Sequence, residues 1–235
     1  MTSAVTTSGH RPRLFLASDR AGVRQRPPTV IFDGGFGSLT VAKKLARTSV
    51  DLTLIDRENH HLFQPLHYQV ATAGLSPADI IWPIPRLVRQ QKNTRALLGE
   101  VTGVDKARKR VCLGDREIGY DIFVLATGET HGYFGNDDWA AYAPGLKAIA
   151  DATEIRRRQL LTFKRAEMEH YAEKRRRLLI IVISGGGPTG VEMAGALVEF
   201  ARKALAVDFR DVDTRQTHVV PVEARLPRLA ERRQS

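Results

Sequence analysis

Two segments about 150 residues apart each place a glycine-rich turn between an apolar, strand-like run and a helix-like run. That layout lets backbone amides hold a phosphate. The later segment, Leu178 to Glu192, reads LLIIVISGGGPTGVE and carries Gly185, Gly187 and Gly190 at G-x-G-x-x-G spacing, with Pro188 and Thr189 between the last two. In such a turn the first glycine permits the tight bend out of the strand, the second lets the backbone approach a pyrophosphate, and the third lets helix and strand pack closely. The phosphates then rest on the free amides at the helix N-terminus. Glu223 closes the next strand-like run, His218 to Glu223, where a carboxylate can accept hydrogen bonds from the ribose hydroxyls of an adenosine. A carboxylate there repels a 2′-phosphate, so the expected ligand is NADH rather than NADPH. Glycine turns also occur in α/β proteins that bind no nucleotide; here strand, helix and terminal acid stand in the right order together.

The earlier segment, Thr29 to Leu39, reads TVIFDGGFGSL and has Asp33 and Ser38 where the first and third glycines belong. Gly34 precedes Gly35, which keeps the position of closest phosphate approach, and Ser38 is small enough to stand in for the third glycine with modest crowding. Asp33 is the larger change. A side chain is penalised if this position needs positive φ, although Asp tolerates left-handed geometry better than most residues. Its charge also lies near the pyrophosphate: unit charges ~4 Å apart at an effective dielectric of ~20 repel by roughly 4 kcal/mol. Rotation into solvent or protonation would relieve this. Asp56, at the end of the apolar run VDLTLID, lies just over twenty residues beyond the turn and is positioned for the second ribose. The run YDIFVLATG brings Thr127 and Gly128 toward the same ligand, or is simply a buried strand ending in a glycine turn.

These residues need elements to position them. Order is expected to begin near Thr29, after Pro27-Pro28, leaving 1–28 as a disordered tail. Fully buried strands are expected at VIF and VDLTLID, with a helix over 38–47 between them. A short helix near Tyr68 to Ala73, another over 83–91, a strand over 95–104 and a hairpin across Gly114-Asp115 follow, then a strand at Tyr120 to Ala126. Asp151 to Arg175 reads as one long amphipathic helix with Ile155, Leu160 or Leu161, Phe163, Met168 and Tyr171 inward. A strand at 178–184, a helix over 188–206 and a strand at 218–223 complete a second unit. Pro221 removes a ladder hydrogen bond, which is tolerated mainly at an edge.

The fold class expected is therefore α/β. It comprises two Rossmann-like dinucleotide-binding domains, three-layered with a mostly parallel sheet plus a small β-meander, the second domain incomplete. The boundaries are 29–150 for the first dinucleotide-binding domain and 151–235 for the partial second one.

The chain has 235 residues and is 43% hydrophobic, enough for a core. Its single cysteine, Cys112, excludes a disulfide framework, a cysteine-rich zinc site and paired redox thiols. No apolar run approaches the ~18 residues that span a bilayer. The net charge of +10 favours an anionic contact, either nucleic acid or an acidic membrane surface, or is a basic solvated exterior. Arg156 to Arg158 and Lys174 to Arg177 read as a solvated face, because no aromatic interleaving accompanies them. His60, His61 and His67 lack a Cys or acid that would complete a ligand set, so no metal is expected.

The run IDRENHHLFQPLHYQVATAGLSPADI, the segment YDIFVLATGETHGYFGNDDWAAYAPGLK and the turn VISGGGPTGVE together resemble the type II NADH dehydrogenases, NADH:quinone oxidoreductases of the two-dinucleotide-binding flavoproteins. The resemblance covers roughly 29–224. It implies FAD in the first domain, NADH in the second, hydride transfer from nicotinamide to flavin, and a quinone as acceptor. By position it places FAD at Gly34, Gly35, Phe36, Gly37, Ser38, Asp56, Arg57, Thr127 and Gly128, with Val101 near the adenine. NADH falls to Gly185, Gly187, Pro188, Thr189, Gly190 and Glu223. Glu192 matches the family glutamate where nicotinamide meets flavin, in an orienting or electrostatic role; a helix first-turn acid is the plainer reading. The resemblance further implies a cytoplasmic protein, peripheral on the inner face of the cell membrane, touching anionic lipid, compatible with a homodimer and with no nucleic-acid partner. Family members continue well past Ser235, so a sheet left open after Glu223 and marginal stability are expected. Two other readings stay open: a catalytically inactive remnant that binds NADH or nothing, and a basic nucleic-acid-binding protein.

Overall fold

The computed structural model describes residues 13–15, 26–58 and 60–223. They fall into two compact units, one drawn from the described residues up to His61 and from 82–129, the other from 62–81 and 130–223. The segments 62–81 and 130–150, grouped with the first domain from sequence, thus pack with the second unit.

The first unit contains β1 (Arg13–Phe15), β2 (Pro28–Phe32), α1 (Phe36–Leu45), β3 (Asp51–Asp56) and the start of β4 (His60–Leu62). After the chain returns through β5 (Ile81–Pro83), it adds α3 (Ile84–Val88), β6 (Thr94–Leu98), β7 (Gly103–Asp105), β8 (Arg110–Leu113), β9 (Arg116–Gly119) and β10 (Ile122–Leu125). The second unit holds α2 (His67–Ala71), α4 (Ile149–Met168), α5 (Ala172–Leu178), β11 (Ile180–Ser184), α6 (Pro188–Glu199) and β12 (His218–Val222).

In the first unit β10, β2, β3 and β6 form an all-parallel sheet in that order. Ile31, Leu52 and Leu54 point to one face and pack against Leu39 and Ala42 of α1 and Ile84 and Val88 of α3. Val30 and Ile55 point to the other face and meet Val111 and Ile118 of the meander β7-β8-β9. The unit is therefore three-layered, and cover on both faces is why β2 and β3 read as unbroken apolar runs. The Asn93 amide donates to the carbonyls of Leu45, Thr48 and Val50, tying the end of α1 to the start of β3.

The second unit has a parallel pair, β11 and β12. Ile181, Ile183 and Val219 turn inward to Val70, Ala71, Ala152, Met193 and Leu197 on α2, α4 and α6. The opposite face is open, with Ile180, Val182, Val220 and Val222 all exposed. Pro221 sits opposite Ile183, and with two strands both are edges, so its missing donor is tolerated.

Several expectations are corrected. Arg13–Phe15, inside the tail expected to be disordered, forms β1 and pairs in parallel with β9; 1–12 and 16–25 lie outside the described residues. The long helix ends at Met168. Glu169 takes extended backbone (φ −84°, ψ 122°), and its carbonyl accepts from the Arg175 guanidinium at 3.0 and 2.6 Å in place of a helical amide. Met168 and Tyr171 are consequently exposed rather than inward. The helix expected over 188–206 is α-helical only to Glu199, continuing as a π-turn over Phe200–Ala204 and a 3₁₀ turn over Leu205–Val207. The strand over 95–104 divides into β6 and β7.

Candidate functional site

Both glycine turns are built, each at the C-terminal end of a parallel strand leading into a helix. In the first, the Asp33 amide donates to the Ile55 carbonyl at 2.8 Å; in the second, the Gly185 amide donates to the Val222 carbonyl at 2.8 Å. Asp33 has φ 88° and Gly185 φ 112°. The first-glycine position thus does require positive φ, and Asp33 accepts it with a side chain attached.

The next amide in each turn goes to a carboxylate. Gly34 N–H donates to Asp56 Oδ2 at 2.8 Å, and Gly186 N–H donates to Glu223 Oε2 at 2.6 Å. The acid at the end of the following strand therefore anchors the turn, and one oxygen is committed to backbone in each case. The second Asp56 oxygen accepts from Glu58 N–H at 2.7 Å. Gly35 and Gly187 then cap their helices with nearly identical backbone (φ −74°, ψ −173° and φ −71°, ψ 175°) and accept from Leu39 and Val191 amides, both at 3.1 Å.

At the third position the turns diverge. A Cβ on Gly190 would strike the Gly185 carbonyl oxygen, so only glycine fits. In the first turn Ser38 fits, fully buried, with its hydroxyl donating to the Phe32 carbonyl at 3.2 Å. The first position diverges in chemistry: Asp33 Oδ2 accepts the Gly35 amide at 3.1 Å. Burial pushes the Asp33 carboxyl above the usual range, the Gly35 amide opposes this, and the neighbouring Asp56 charge adds to the rise.

The other expected residues are placed as follows. A Cβ on Gly37 would touch Ala126, so the segment after β10 lies beside α1, and Thr127 and Gly128 follow it exposed, Gly128 with φ 66°. Phe36 is half-exposed at the start of α1. The Arg57 guanidinium is exposed near Glu58, and Val101 packs on the meander side of the sheet. Pro188 and Thr189 are exposed in the first turn of α6; Glu192, expected as a first-turn acid, is its fifth residue and stands exposed in the second turn, since the helix begins at Pro188. Among the described residues no group of three His, Cys, Asp or Glu side chains could hold a metal, and no helix is long and apolar enough to cross a membrane.

Two contributors escape the sequence. His61 Nδ1 lies 2.9 Å from the Gly34 carbonyl and its ring meets Phe36 edge-on at 4.8 Å. Ile84 closes the space against Gly34, where a Cβ would strike it. Neither is at a motif spacing. The Asp33 to Gly35 bond did have a signal, since Asp readily accepts from the amide two residues on.

The sequence matches the pyridine nucleotide-disulphide oxidoreductase profile over residues 28–232. The chain belongs to that family. It is 44% identical over 206 residues to the type II NADH:quinone oxidoreductase Ndh of Mycobacterium tuberculosis, covering 85% of this chain and 44% of that protein. To NdhA of the same organism it is 44% identical over 213 residues, covering 88% and 45%. The chain thus spans less than half the length of these relatives. The structure of Plasmodium falciparum NDH2 in complex with NADH aligns with a TM-score of 0.73 at 22% identity, over 84% of this chain and 42% of that one. The fold class expected from sequence, α/β with Rossmann-type units, agrees with that likeness.

The two turns differ in their fit to a dinucleotide. At the second, the Gly186 amide is taken by Glu223, while Gly187 and Thr189 stand exposed where helix amides have no intrahelical partner. This fits a pyrophosphate. At the first, the Asp33 carboxylate already holds the Gly35 amide, and a pyrophosphate does not fit until that oxygen leaves.

Proposed function

We propose that this chain is the cofactor-binding portion of an FAD-dependent oxidoreductase that takes electrons from NADH and delivers them to a quinone. FAD is assigned to the first unit and NADH to the second. The observation that carries the reading is the repeated anchor, Gly34 to Asp56 and Gly186 to Glu223, in a chain 44% identical over 206 residues to an NADH:quinone oxidoreductase. When bound, FAD would supply hydride acceptance. The chain's own residues supply the rest: Gly187 and the first turn of α6 hold phosphate, Glu223 receives ribose hydroxyls and disfavours a 2′-phosphate, and exposed Glu192 orients the nicotinamide end. Asp56, with Gly34, Gly35, Phe36, Gly37, Ser38, Arg57, Val101, Thr127 and Gly128, is the corresponding set for FAD. The +10 charge supports peripheral contact with an anionic membrane surface, where a quinone would be met.

A second reading, a chain that binds NADH and turns nothing over, is favoured by the Asp33 to Gly35 contact alone. Titration of the purified chain with NADH, NADPH and FAD decides between them. The proposal expects NADH to bind at least about tenfold tighter than NADPH and FAD to give a bound visible spectrum once Asp33 is neutralised. Absence of NADH binding would sink both readings; NADH binding with no flavin bound by any Asp33 variant would leave only the second.

A further inference from the structure

We propose that the Asp33 carboxylate is a built-in occupant of the anion seat in the first turn, so that a dinucleotide pyrophosphate enters only when this carboxylate is protonated or swung aside. The proposal rests on the FAD reading of the first unit and adds what controls loading.

The geometry is specific. Asp33 Oδ2 accepts the Gly35 amide at 3.1 Å and lies 2.8 Å from where a Cβ on Gly35 would stand. That space is the one a second-position glycine leaves for a pyrophosphate. The carboxylate therefore fills both the donor and the room. Its direction is set by the backbone: φ is 88° and the Asp33 amide is fixed to Ile55 in the strand ladder. The second turn also has positive φ at its first glycine, 112° at Gly185, with no side chain there.

The charged groups around Asp33 make the occupant labile to protons. Asp56 on β3 faces it and repels its ionised form, and burial acts in the same direction. From β4, His61 reaches the turn through the Gly34 carbonyl, while Glu58 and Arg57 are turned toward each other and solvent. The ionisable residues of α1, Lys43 and Lys44, lie in its last turn, away from the seat. Among the described residues, therefore, no counter-cation holds the carboxylate charged. Because an anionic ligand competes with the ionised form only, FAD affinity must fall by about tenfold per pH unit above the raised Asp33 value, until the swung-aside form takes over. The neutral isostere removes this dependence.

The test titrates the full, cofactor-free chain and its Asp33→Gly and Asp33→Asn variants with FAD from about pH 5 to about pH 8. NADH titrations of the same samples report on the second unit. The expected result is wild-type affinity that weakens as pH rises, flat profiles for both variants, and Asp33→Gly tighter than wild type by roughly a hundredfold at the alkaline end. In the ligand-free protein the Gly35 amide resonance should move with pH in wild type and stay fixed in Asp33→Asn. If wild type and Asp33→Gly bind FAD alike throughout, the proposal is overturned while the FAD reading stands. Should neither variant bind FAD although NADH binds, both fall; a pH-invariant Gly35 resonance in wild type overturns the proposal by itself.

Discussion

The turn after β2 and the turn after β11 share the same hydrogen bonds: the residue at the first-glycine position donates to the neighbouring strand, the next amide (Gly34 or Gly186) donates to the acid at that strand's end, and the residue after it (Gly35 or Gly187) caps the helix. They differ in what fills them. Gly185 leaves its turn open, whereas Asp33 adopts nearly the same backbone and places a carboxylate on the amide a phosphate would need. The units around them differ in the opposite sense. The first unit's sheet is covered on both faces, while the second leaves Ile180, Val182, Val220 and Val222 exposed. The well-packed unit thus carries the blocked turn, and the half-covered unit carries the open one. Backbone geometry and ligand competence are consequently separable: the scaffold fixes where amides point, and one side chain decides whether they are available.

The largest effect should come from the third position. Gly190→Ala drives a Cβ into the Gly185 carbonyl and should destabilise the second unit by about 3 kcal/mol in urea unfolding. Ser38→Ala loses only the bond to the Phe32 carbonyl, about 1 kcal/mol. Equal losses would show that the two turns do not pack as differently as described. Next, Gly185→Asp should give the second turn its own occupant and weaken NADH binding roughly a hundredfold, read by calorimetry; unchanged binding would mean that a carboxylate at this position is harmless.

A smaller effect lies away from both turns. His67 on α2 is buried, its Nε2 has no partner among the described residues, and burial holds its pKa below the usual 6.5. Asp151 acts the other way and Lys147 with burial. A lowered folded-state value means the unfolded chain takes up a proton that the folded chain refuses. Stability is then complete above the unfolded value and lost as pH falls below it. His67→Leu should stabilise by about 1 kcal/mol near neutrality and flatten that acid loss in thermal melts. Asp33, with its raised value, contributes in the reverse direction: its share is present at low pH and lost as pH rises through the folded value.

Much of this was legible in the sequence because the signals are local. The apolar runs at 30–32 and 51–56 gave the central strands, and the spacing of Gly185, Gly187 and Gly190 gave the second turn. Asp56 and Glu223 were found as strand-end acids, but their bonds to Gly34 and Gly186 were not, since a carboxylate's first partner depends on how two strands align. His61 was invisible for a similar reason: its partner is 27 residues away and reached only once β4 is in place. The break at Glu169 escaped because Arg175, not a proline or glycine, ends the helix by taking its carbonyl. Arg157 and Arg158, read as part of a solvated face, are paired there with Glu154, whose carboxyl they lower to about 2.

The most direct measurement exchanges the two first positions. The double variant Asp33→Gly with Gly185→Asp is titrated with FAD and with NADH beside wild type at slightly alkaline pH. If one side chain decides which turn is open, the exchange should tighten FAD and weaken NADH relative to wild type. Affinities for both ligands that stay at their wild-type values would contradict it.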